Sequence, residues 1–120
     1  MASAGPATIV VVEGDPAARE LIDQALRGCG RCVLVTRDPL EALKLGERVR
    51  IDVLVDSLQL CRERPAFVER LRSIQPELRL VRVLDPDEPS SDGLTLRRPF
   101  SLEDLESAIA QALTRERLIG

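Results

Sequence analysis

Apolar runs and polar segments alternate along the chain with a spacing that predicts a mixed α/β fold. The apolar runs are short, continuous and rich in β-branched residues, which is typical of strands buried on both faces of a sheet. The clearest run is Ile9-Val10-Val11-Val12, and a shorter one that begins at Gly93 predicts a fifth strand. The predicted strands cover residues 9–12, 32–35, 51–55, 78–84 and 93–96.

Helix-start signals stand between these runs. Asp15-Pro16 and Asp38-Pro39 each place an N-cap carboxylate before a proline at the first helical position. Ser101, followed by Glu103 and Asp104, is a start of the capping-box type. Apolar residues then recur at helical spacing, and the segment from the third strand to Pro65 is predicted to be a loop. The predicted helices cover about 16–28, 39–45, 65–74 and 102–113.

Residues 85–93, between the fourth and fifth strands, break this alternation. The segment holds two prolines and four acids, so it is too short and too proline-rich for an ordinary crossover helix. We predict a loop or a single turn here, and therefore a missing fourth helix. The alternation elsewhere predicts a doubly wound parallel sheet with helices on both faces.

The carboxyl ends of the predicted strands bring charged residues to one edge of the sheet, where doubly wound domains form their functional crevice. Like charges in one crevice repel one another and need a cation or a proton for neutralisation. A tethered cation after the fifth strand meets this need. The acidic pocket comprises Glu13, Asp15, Asp56 and Asp85, and the cation is Arg98.

Length and charge narrow the class of protein. The chain has 120 residues, 17 of them basic and 20 acidic, which fits a single domain over residues 1–120. We expect residues 1–6 to be a flexible N-terminus and 114–120 to be a tail or the start of a linker. No basic block is present to neutralise nucleic-acid phosphates, and no apolar run is long enough to cross a bilayer. The first residues lack a signal-peptide pattern, so a cytoplasmic location is expected.

The chain contains no histidine, which excludes an imidazole base, ligand or phosphate carrier. Cys29 and Cys32 have the spacing of a redox or zinc motif, but they close a predicted helix instead of opening one, where the helix dipole would lower a thiol pKa. With Cys61 as the only other cysteine, four zinc ligands of the usual kinds are not available. We interpret Cys29 and Cys32 as small apolar residues.

Five segments follow one another in an order that carries a family resemblance: residues 8–16, Glu41-Ala42-Leu43, residues 53–56, Leu71-Arg72 and Arg98-Pro99-Phe100. In these segments the chain resembles the receiver domains of bacterial response regulators in two-component signalling. Receivers have an apolar strand with an acidic pair at the first segment, the phospho-accepting aspartate at the third and Lys-Pro-Phe at the fifth. The resemblance covers nearly the whole chain.

The resemblance implies a flavodoxin-like fold with the strand order 2-1-3-4-5. It also implies phosphoryl transfer from a phosphohistidine to an aspartate, with Mg²⁺ held by the acidic pair and the acceptor. Asp56 is the candidate phospho-acceptor. Glu13 and Asp56 would together hold at most a weak Mg²⁺, and no other cofactor is expected.

The sequence departs from the receiver pattern at most of the positions that carry this chemistry. Gly14 replaces one acid of the pair, Leu84 stands where a hydroxyl is expected, and Arg98 replaces the lysine. Arginine keeps the charge of lysine but not its compact geometry. These changes indicate a degenerate receiver, or pseudo-receiver, that keeps the fold and has lost or impaired phosphotransfer.

The position of the acceptor depends on the direction of counting. Counting forward from Asp52 puts Ser57 at the acceptor position, whereas counting back from Leu71-Arg72 selects Asp56. The second count also places Phe67-Val68 on the usual apolar pair. We therefore assign Asp56 as the candidate.

A missing fourth helix would uncover one side of the fourth and fifth strands, and an exposed apolar face tends to mark an interface. We therefore predict contact there with a signalling protein or with a second copy of the chain, and with neither nucleic acid nor membrane. The predicted partner face consists of Leu80, Arg82, Leu94, Leu96, Leu105 and Ile109.

Three functions remain open at this stage. The one we favour is a non-enzymatic pseudo-receiver that acts as a docking or dimerisation module in bacterial signal transduction. The second is a working receiver, phosphorylated on Asp56 in a Mg²⁺-dependent phosphorelay, whose only activity is its own phosphorylation and dephosphorylation. The third is a different doubly wound domain that shares only the architecture of receivers.

Overall fold

The predicted strands form one parallel sheet. The structure, a computed structural model, describes residues 7–28, 30–89 and 93–119. The strand order is β2-β1-β3-β4-β5, and every neighbouring pair runs parallel, so the prediction of a doubly wound, flavodoxin-like sheet is confirmed. The strands are β1 (Thr8–Val12), β2 (Cys32–Thr36), β3 (Val53–Asp56), β4 (Arg79–Leu84) and β5 (Leu94–Arg97).

The helices after Asp15 and Asp38 begin where the capping signals predict. The carboxylate of Asp15 accepts a hydrogen bond from the amide of Ala18 (2.9 Å), and that of Asp38 accepts one from the amide of Leu40 (3.0 Å). The helices are α1 (Pro16–Arg27), α2 (Pro39–Gly46), α3 (Leu60–Glu63), α4 (Pro65–Ile74) and α5 (Leu102–Ile119). Within the described residues, none of them is both long and apolar enough to span a membrane.

Two segments differ from the sequence predictions. The single turn α3 lies in the segment that we predicted to be a loop, and α5 continues to Ile119, so the predicted tail at 114–120 is helical as far as the structure describes it. The predicted flexible N-terminus at residues 1–6 and Cys29 lie outside the described residues.

The segment between β4 and β5 contains no helix in its described residues, 85–89 and 93; residues 90–92 lie outside the description. Here α3 and α4 lie between β3 and β4, whereas the residues described after β4 include only a turn at positions 86 and 87. The prediction that the crossover helix is replaced by a loop therefore agrees with the part of the segment that the structure describes.

The sheet separates two hydrophobic cores, because successive residues of a strand point to opposite faces. The α1/α5 core contains Ile9 and Val11 of β1 and Val53 and Val55 of β3, packed against α1 and α5. The α2/α4 core contains Val10 and Val12 of β1 and Leu54 of β3, with residues of α2 and α4. This alternation decides on which face each residue after a strand emerges.

The face of β4 and β5 opposite the α1/α5 core is mixed in polarity, because Leu80 and Leu84 of β4 share it with Arg82, and Leu84 is only 2% exposed. On β4, Val81 and Val83 are buried in the α1/α5 core, and Arg82 between them points to the opposite face. On β5, Leu94 and Leu96 contact the same core, so Thr95 and Arg97 point to the uncovered face. The part of this face formed by Arg82, Thr95 and Arg97 is polar and can face water without a covering helix.

The predicted partner face is therefore wrong for three of its six residues. Leu96 is only 8% exposed, and Leu105 and Ile109 are fully buried in the α1/α5 core, because α5 covers that side of the sheet. Leu80 and Leu94 are partly buried against the two cores, and Arg82 is half-buried.

Candidate functional site

The residues that follow β1 and β3 continue the alternation of the strands. Glu13 comes two residues after Val11, and Ser57 two residues after Val55, so both side chains emerge on the α1/α5 side. Their backbone amides extend the sheet ladder, with Glu13 bonded to the carbonyl of Thr36 (2.8 Å) and Ser57 to that of Val12 (3.0 Å). Glu13 and Ser57 therefore occupy fixed positions at the carboxyl edge of the sheet.

Ser57 connects an acid to a base in this crevice. Its Oγ donates to Glu13 Oε1 (2.6 Å), while Arg98 Nη2 donates to Ser57 Oγ (2.8 Å) and to the Ser57 carbonyl (2.6 Å). Glu13 and Ser57 are each only 4% exposed. Buried polar groups need such partners, and Arg98 supplies a positive charge close to the buried carboxylate. We call the group Glu13, Ser57, Asp85 and Arg98 the crevice.

Asp56 does not share the crevice, which corrects the predicted acidic pocket. It follows Leu54 by two residues and therefore faces the α2/α4 side. Its Oδ1 accepts from the amides of Leu58 (3.3 Å) and Leu60 (2.8 Å), and its Oδ2 from that of Cys61 (3.0 Å). With 1% exposure, Asp56 is a buried acceptor that organises the turn leading into α3.

The other two predicted acids have separate roles. Asp15 caps α1, and its own amide donates to Glu13 Oε2 (3.0 Å). Asp85 lies 3.6 Å from Arg98 Nε through its Oδ1 and accepts from Gln59 Nε2 (3.1 Å) through its Oδ2. Of the four predicted acids, the structure thus brings Glu13 and Asp85 together around Arg98.

The crevice residues do not fit a Mg²⁺ ion of the kind that receiver chemistry uses. The predicted pair, Glu13 and Asp56, lies on opposite faces of the sheet, and Glu13 is engaged by Ser57. Arg98 places a guanidinium on that same hydroxyl, where a cation would have to compete with it. No group of three or more His, Cys, Asp or Glu side chains in the described part of the chain is placed to hold a metal.

An apolar groove of about 380 Å³ opens beside the crevice, between the first half of α1 and the start of α5. Glu13 and Arg98 lie at one end of it, and Leu21 and Leu102 are among its apolar residues. These two leucines are 58% and 38% exposed, which is unusual for large aliphatic side chains that meet in one groove. The remaining lining residues are Ala18, Ile22, Pro99 and Phe100.

The thiol of Cys61, on the Asp56 side of the sheet, has a raised pKa. Burial, together with the charge of Asp56 and a hydrogen bond to it, raises the pKa of this thiol to about 11. Arg82 and Arg72 lower it by a smaller amount. A thiol with a raised pKa is a poor nucleophile, which argues against a reactive role for Cys61. Cys32, interpreted from the sequence as a small apolar residue, is exposed.

Ser57, and not the predicted Asp56, is the residue that reaches the crevice, and the sequence contains a signal for it. Asp52 fixes the start of β3, because its Oδ2 accepts from the amide of Thr8 (2.8 Å). Counting forward from Asp52 therefore follows the strand and arrives at Ser57. Counting back from Leu71 passes through α3, which the sequence analysis treated as a loop, and stops at Asp56.

Comparisons with known proteins agree with this architecture. No protein-family model matches the chain, and no curated protein matches it either. Solved structures do match, among them a CheY-like response regulator receiver domain protein from Methanospirillum hungatei, with a TM-score of 0.78 and 19% identity over 97% of this chain and 100% of that chain. A response regulator receiver domain protein from Clostridium thermocellum has a TM-score of 0.74 and 22% identity over 95% and 99% of the two chains.

A third structure, a response regulator receiver protein from Sinorhizobium medicae, has a TM-score of 0.73 and 19% identity over 91% of this chain and 95% of that chain. The superpositions span nearly complete chains on both sides. The likeness establishes that the fold of this protein is that of receiver domains.

Proposed function

We propose that this chain, with the fold of receiver domains, is a pseudo-receiver: a non-enzymatic signalling domain that docks a protein partner and does not carry a phosphoryl group on Asp56. The observation that carries the proposal is the position of Asp56, whose carboxylate faces the α2/α4 side and accepts three backbone hydrogen bonds. The side chain that enters the crevice at the end of β3 is that of its neighbour, Ser57.

Asp56 is a poor acceptor for a phosphoryl group for two physical reasons. An attacking carboxylate oxygen must reach phosphorus from the open side of a site, whereas Asp56 is 1% exposed. Either of its oxygens would also have to give up hydrogen bonds from backbone amides, and leaving such amides unsatisfied is costly.

The crevice itself lacks the groups for acyl-phosphate chemistry. Ser57 presents a hydroxyl where a carboxylate would be needed, and Gly14 leaves Glu13 without the second acid of the pair. The guanidinium of Arg98 already donates a hydrogen bond to Ser57 and forms an ion pair with Asp85. Arg98 thus serves as a tethered cation that stabilises the crevice in the absence of a phosphate.

The docking surface in this proposal is the groove between α1 and α5. Its exposed leucines, Leu21 and Leu102, each stand next to an exposed acid, Glu20 and Glu103 respectively. Charge complementarity therefore favours a partner segment with an apolar face flanked by Lys or Arg, such as an amphipathic basic helix.

Phosphotransfer is tested by incubating the protein with Mg²⁺ and acetyl phosphate and measuring its intact mass. We expect no phosphoryl adduct on the wild type. A double variant, Gly14→Asp with Ser57→Asp, restores both missing carboxylates and should gain one. At Gly14 a Cβ would lie 3.1 Å from the end of the flexible Leu58 side chain, which must shift by a few tenths of an ångström to admit it.

Controls separate the alternatives in the same experiment. An adduct on the wild type that disappears in Asp56→Asn would establish the working receiver in place of the pseudo-receiver. An adduct that disappears in Ser57→Ala would instead identify the hydroxyl as the acceptor. Circular dichroism of each variant confirms that the fold is intact.

Docking is tested with a labelled amphipathic peptide built from Leu and Lys and with a counterpart built from Leu and Glu. We expect the Lys peptide to bind by fluorescence anisotropy, and a Leu21→Glu, Leu102→Glu variant to weaken that binding at least tenfold. Equal binding of both peptides, or no effect of the variant, would contradict the groove as the docking surface. Sedimentation velocity over a range of concentrations shows whether a second copy of the chain is the partner.

A further inference from the structure

Gln59, directly before α3, has a strained backbone. Its φ of 57° and ψ of 39° place it in the left-handed region, and no other non-glycine residue in the described ranges has a positive φ. A residue with a Cβ adopts this conformation only at a cost, because the Cβ approaches the carbonyl oxygen that follows. Glycine would remove that cost, so we expect the side chain of Gln59 to compensate for it.

The side-chain amide of Gln59 makes hydrogen bonds through both its nitrogen and its oxygen. Nε2 donates to Asp85 Oδ2 (3.1 Å) and to Glu88 Oε1 (3.2 Å), and Oε1 accepts from Arg62. Asp85 and Glu88 both belong to the segment after β4. One side chain thus joins the start of α3 to two acids of the β4–β5 loop, by which we mean the described residues 85–89.

The β4–β5 loop is also closed on itself. Glu88 Oε1 accepts from the amide of Asp85 (2.9 Å), and Glu88 Oε2 from Arg62 Nη1 (2.9 Å). From the other side, Arg97 Nη1 donates to the carbonyls of Asp85 (3.1 Å), Pro86 (3.1 Å) and Glu88 (2.6 Å). The loop is therefore held between α3 and β5, where the missing helix would otherwise begin.

The same loop contributes Asp85 to one side of the crevice. Asp85 has two carboxylate oxygens, and it presents Oδ1 to Arg98 and Oδ2 to Gln59. If Gln59 releases Asp85, the carboxylate is free to rotate or to leave with the loop, and Arg98 loses its only ion-pair partner within the described residues. A strained residue held in place by the bonds of its own side chain is the kind of feature that points to a functional constraint.

We propose that Gln59 is a latch: it holds the β4–β5 loop against α3, and thereby keeps Asp85 on Arg98 and the crevice in one closed arrangement. This inference rests on the proposed function. In a domain that is not switched by phosphorylation, other contacts must hold the β4–β5 loop in place, and Gln59 supplies them. The loop is then a strap that opens when the Gln59 bonds are broken.

Hydrogen exchange of the backbone amides of Asp85 and Glu88 tests the latch. In Gln59→Gly the strain and the latch disappear together, so we expect exchange at these two amides to accelerate at least tenfold while the midpoint of urea unfolding stays unchanged or rises. In Gln59→Ala only the latch disappears, so the same local acceleration should come with a lower midpoint. The matched control is Gln24→Ala, an exposed position on α1, which should change neither quantity.

Two results would overturn the proposal. If both Gln59 variants exchange within twofold of the wild type at Asp85 and Glu88, then Arg62 and Arg97 hold the loop without Gln59. If Gln59→Gly lowers the unfolding midpoint and accelerates exchange throughout the chain, Gln59 is a general stabilising residue and not a latch. The experiment uses no phosphodonor and no peptide, so its failure is distinguishable from failure of the proposed function.

Discussion

Asp56 and Ser57 are neighbours at the end of β3, yet they belong to different halves of the molecule. Asp56 faces the α2/α4 side, where its carboxylate is satisfied by three backbone amides. Ser57 faces the α1/α5 side, where it connects Glu13 to Arg98. Asp56, with the more reactive side chain, is held by backbone hydrogen bonds outside the crevice. Ser57, with the less reactive side chain, lines the crevice.

The difference between the two positions shows that register, more than residue type, decides which side chain reaches a crevice. A shift of one residue along a strand moves a side chain to the other face of the sheet. A carboxylate in the right segment but the wrong register therefore becomes a structural acceptor. Variants on each side of this comparison test it, beginning with the largest expected effect.

Removing the Asp56 carboxylate should be the most destabilising change. Asp56→Ala leaves three amides without an acceptor in a buried site, and we expect a loss of about 3 kcal/mol in the free energy of unfolding, measured by urea denaturation. Asp56→Asn is the matched control, since one amide oxygen can still accept from Leu58 and Leu60, and about 1 kcal/mol should be lost. Losses below about 0.5 kcal/mol for Asp56→Ala would contradict a structural role for this carboxylate.

On the crevice side, Arg98→Ala should have a smaller effect. It removes the hydrogen bonds to Ser57 and the ion pair with Asp85, but the guanidinium is partly exposed and water replaces some of these bonds. We expect a loss of about 1.5 kcal/mol by urea denaturation. Arg98→Lys keeps the charge without the planar fork and should recover part of that loss; an equal loss in both variants would show that geometry, not charge, stabilises the crevice.

The smallest effect concerns Cys61, which borders Asp56. Because burial, with Asp56 nearby, raises the pKa of this thiol from 9.0 to about 11, the unfolded chain releases the proton first as the pH rises. The resulting contribution to stability is complete below pH 9 and is lost as the pH rises through about 11. Wild type and Cys61→Ala, compared by urea denaturation at pH 8 and at pH 10.5, should therefore converge at the higher pH.

A labelling experiment checks the same pKa without unfolding the protein. At pH 8, iodoacetamide should modify Cys61 more slowly than the exposed Cys32, because only a small fraction of Cys61 is thiolate. Peptide mapping by mass spectrometry separates the two sites. Faster modification of Cys61 would contradict the raised pKa.

Local sequence patterns predicted most of the helices and strands, and each wrong prediction has a physical cause. The Asp-Pro pairs predicted the starts of α1 and α2, because N-cap and first-turn preferences are local. The single turn α3 was not predicted, since it is held by Asp56 and by a left-handed Gln59, and neither leaves a periodic pattern. The β4–β5 segment was predicted to lack a helix because its prolines and acids exclude one.

The partner face illustrates a different limit. Leu105 and Ile109 have the spacing of an apolar helix face, and the sequence analysis assigned that face to a partner, whereas α5 packs it onto the sheet. Periodicity identifies an apolar face but not what covers it. The exposed leucines of the groove, Leu21 and Leu102, belong to two elements that only the folded chain brings together.

The sequence alone determined most of the elements, the parallel sheet and the presence of Glu13, Asp85 and Arg98 at its carboxyl edge, since these follow from periodicity, caps and strand ends. Only the tertiary structure decided which acid enters the crevice, because pairing of β3 with β1 sets the register of Asp56 and Ser57. It also decided that Arg98 bonds to Ser57 and that Gln59 holds the loop, since these residues lie 41 positions and up to 29 positions from their partners along the chain. Contacts of that range depend on how the strands are ordered, and a local pattern does not encode them.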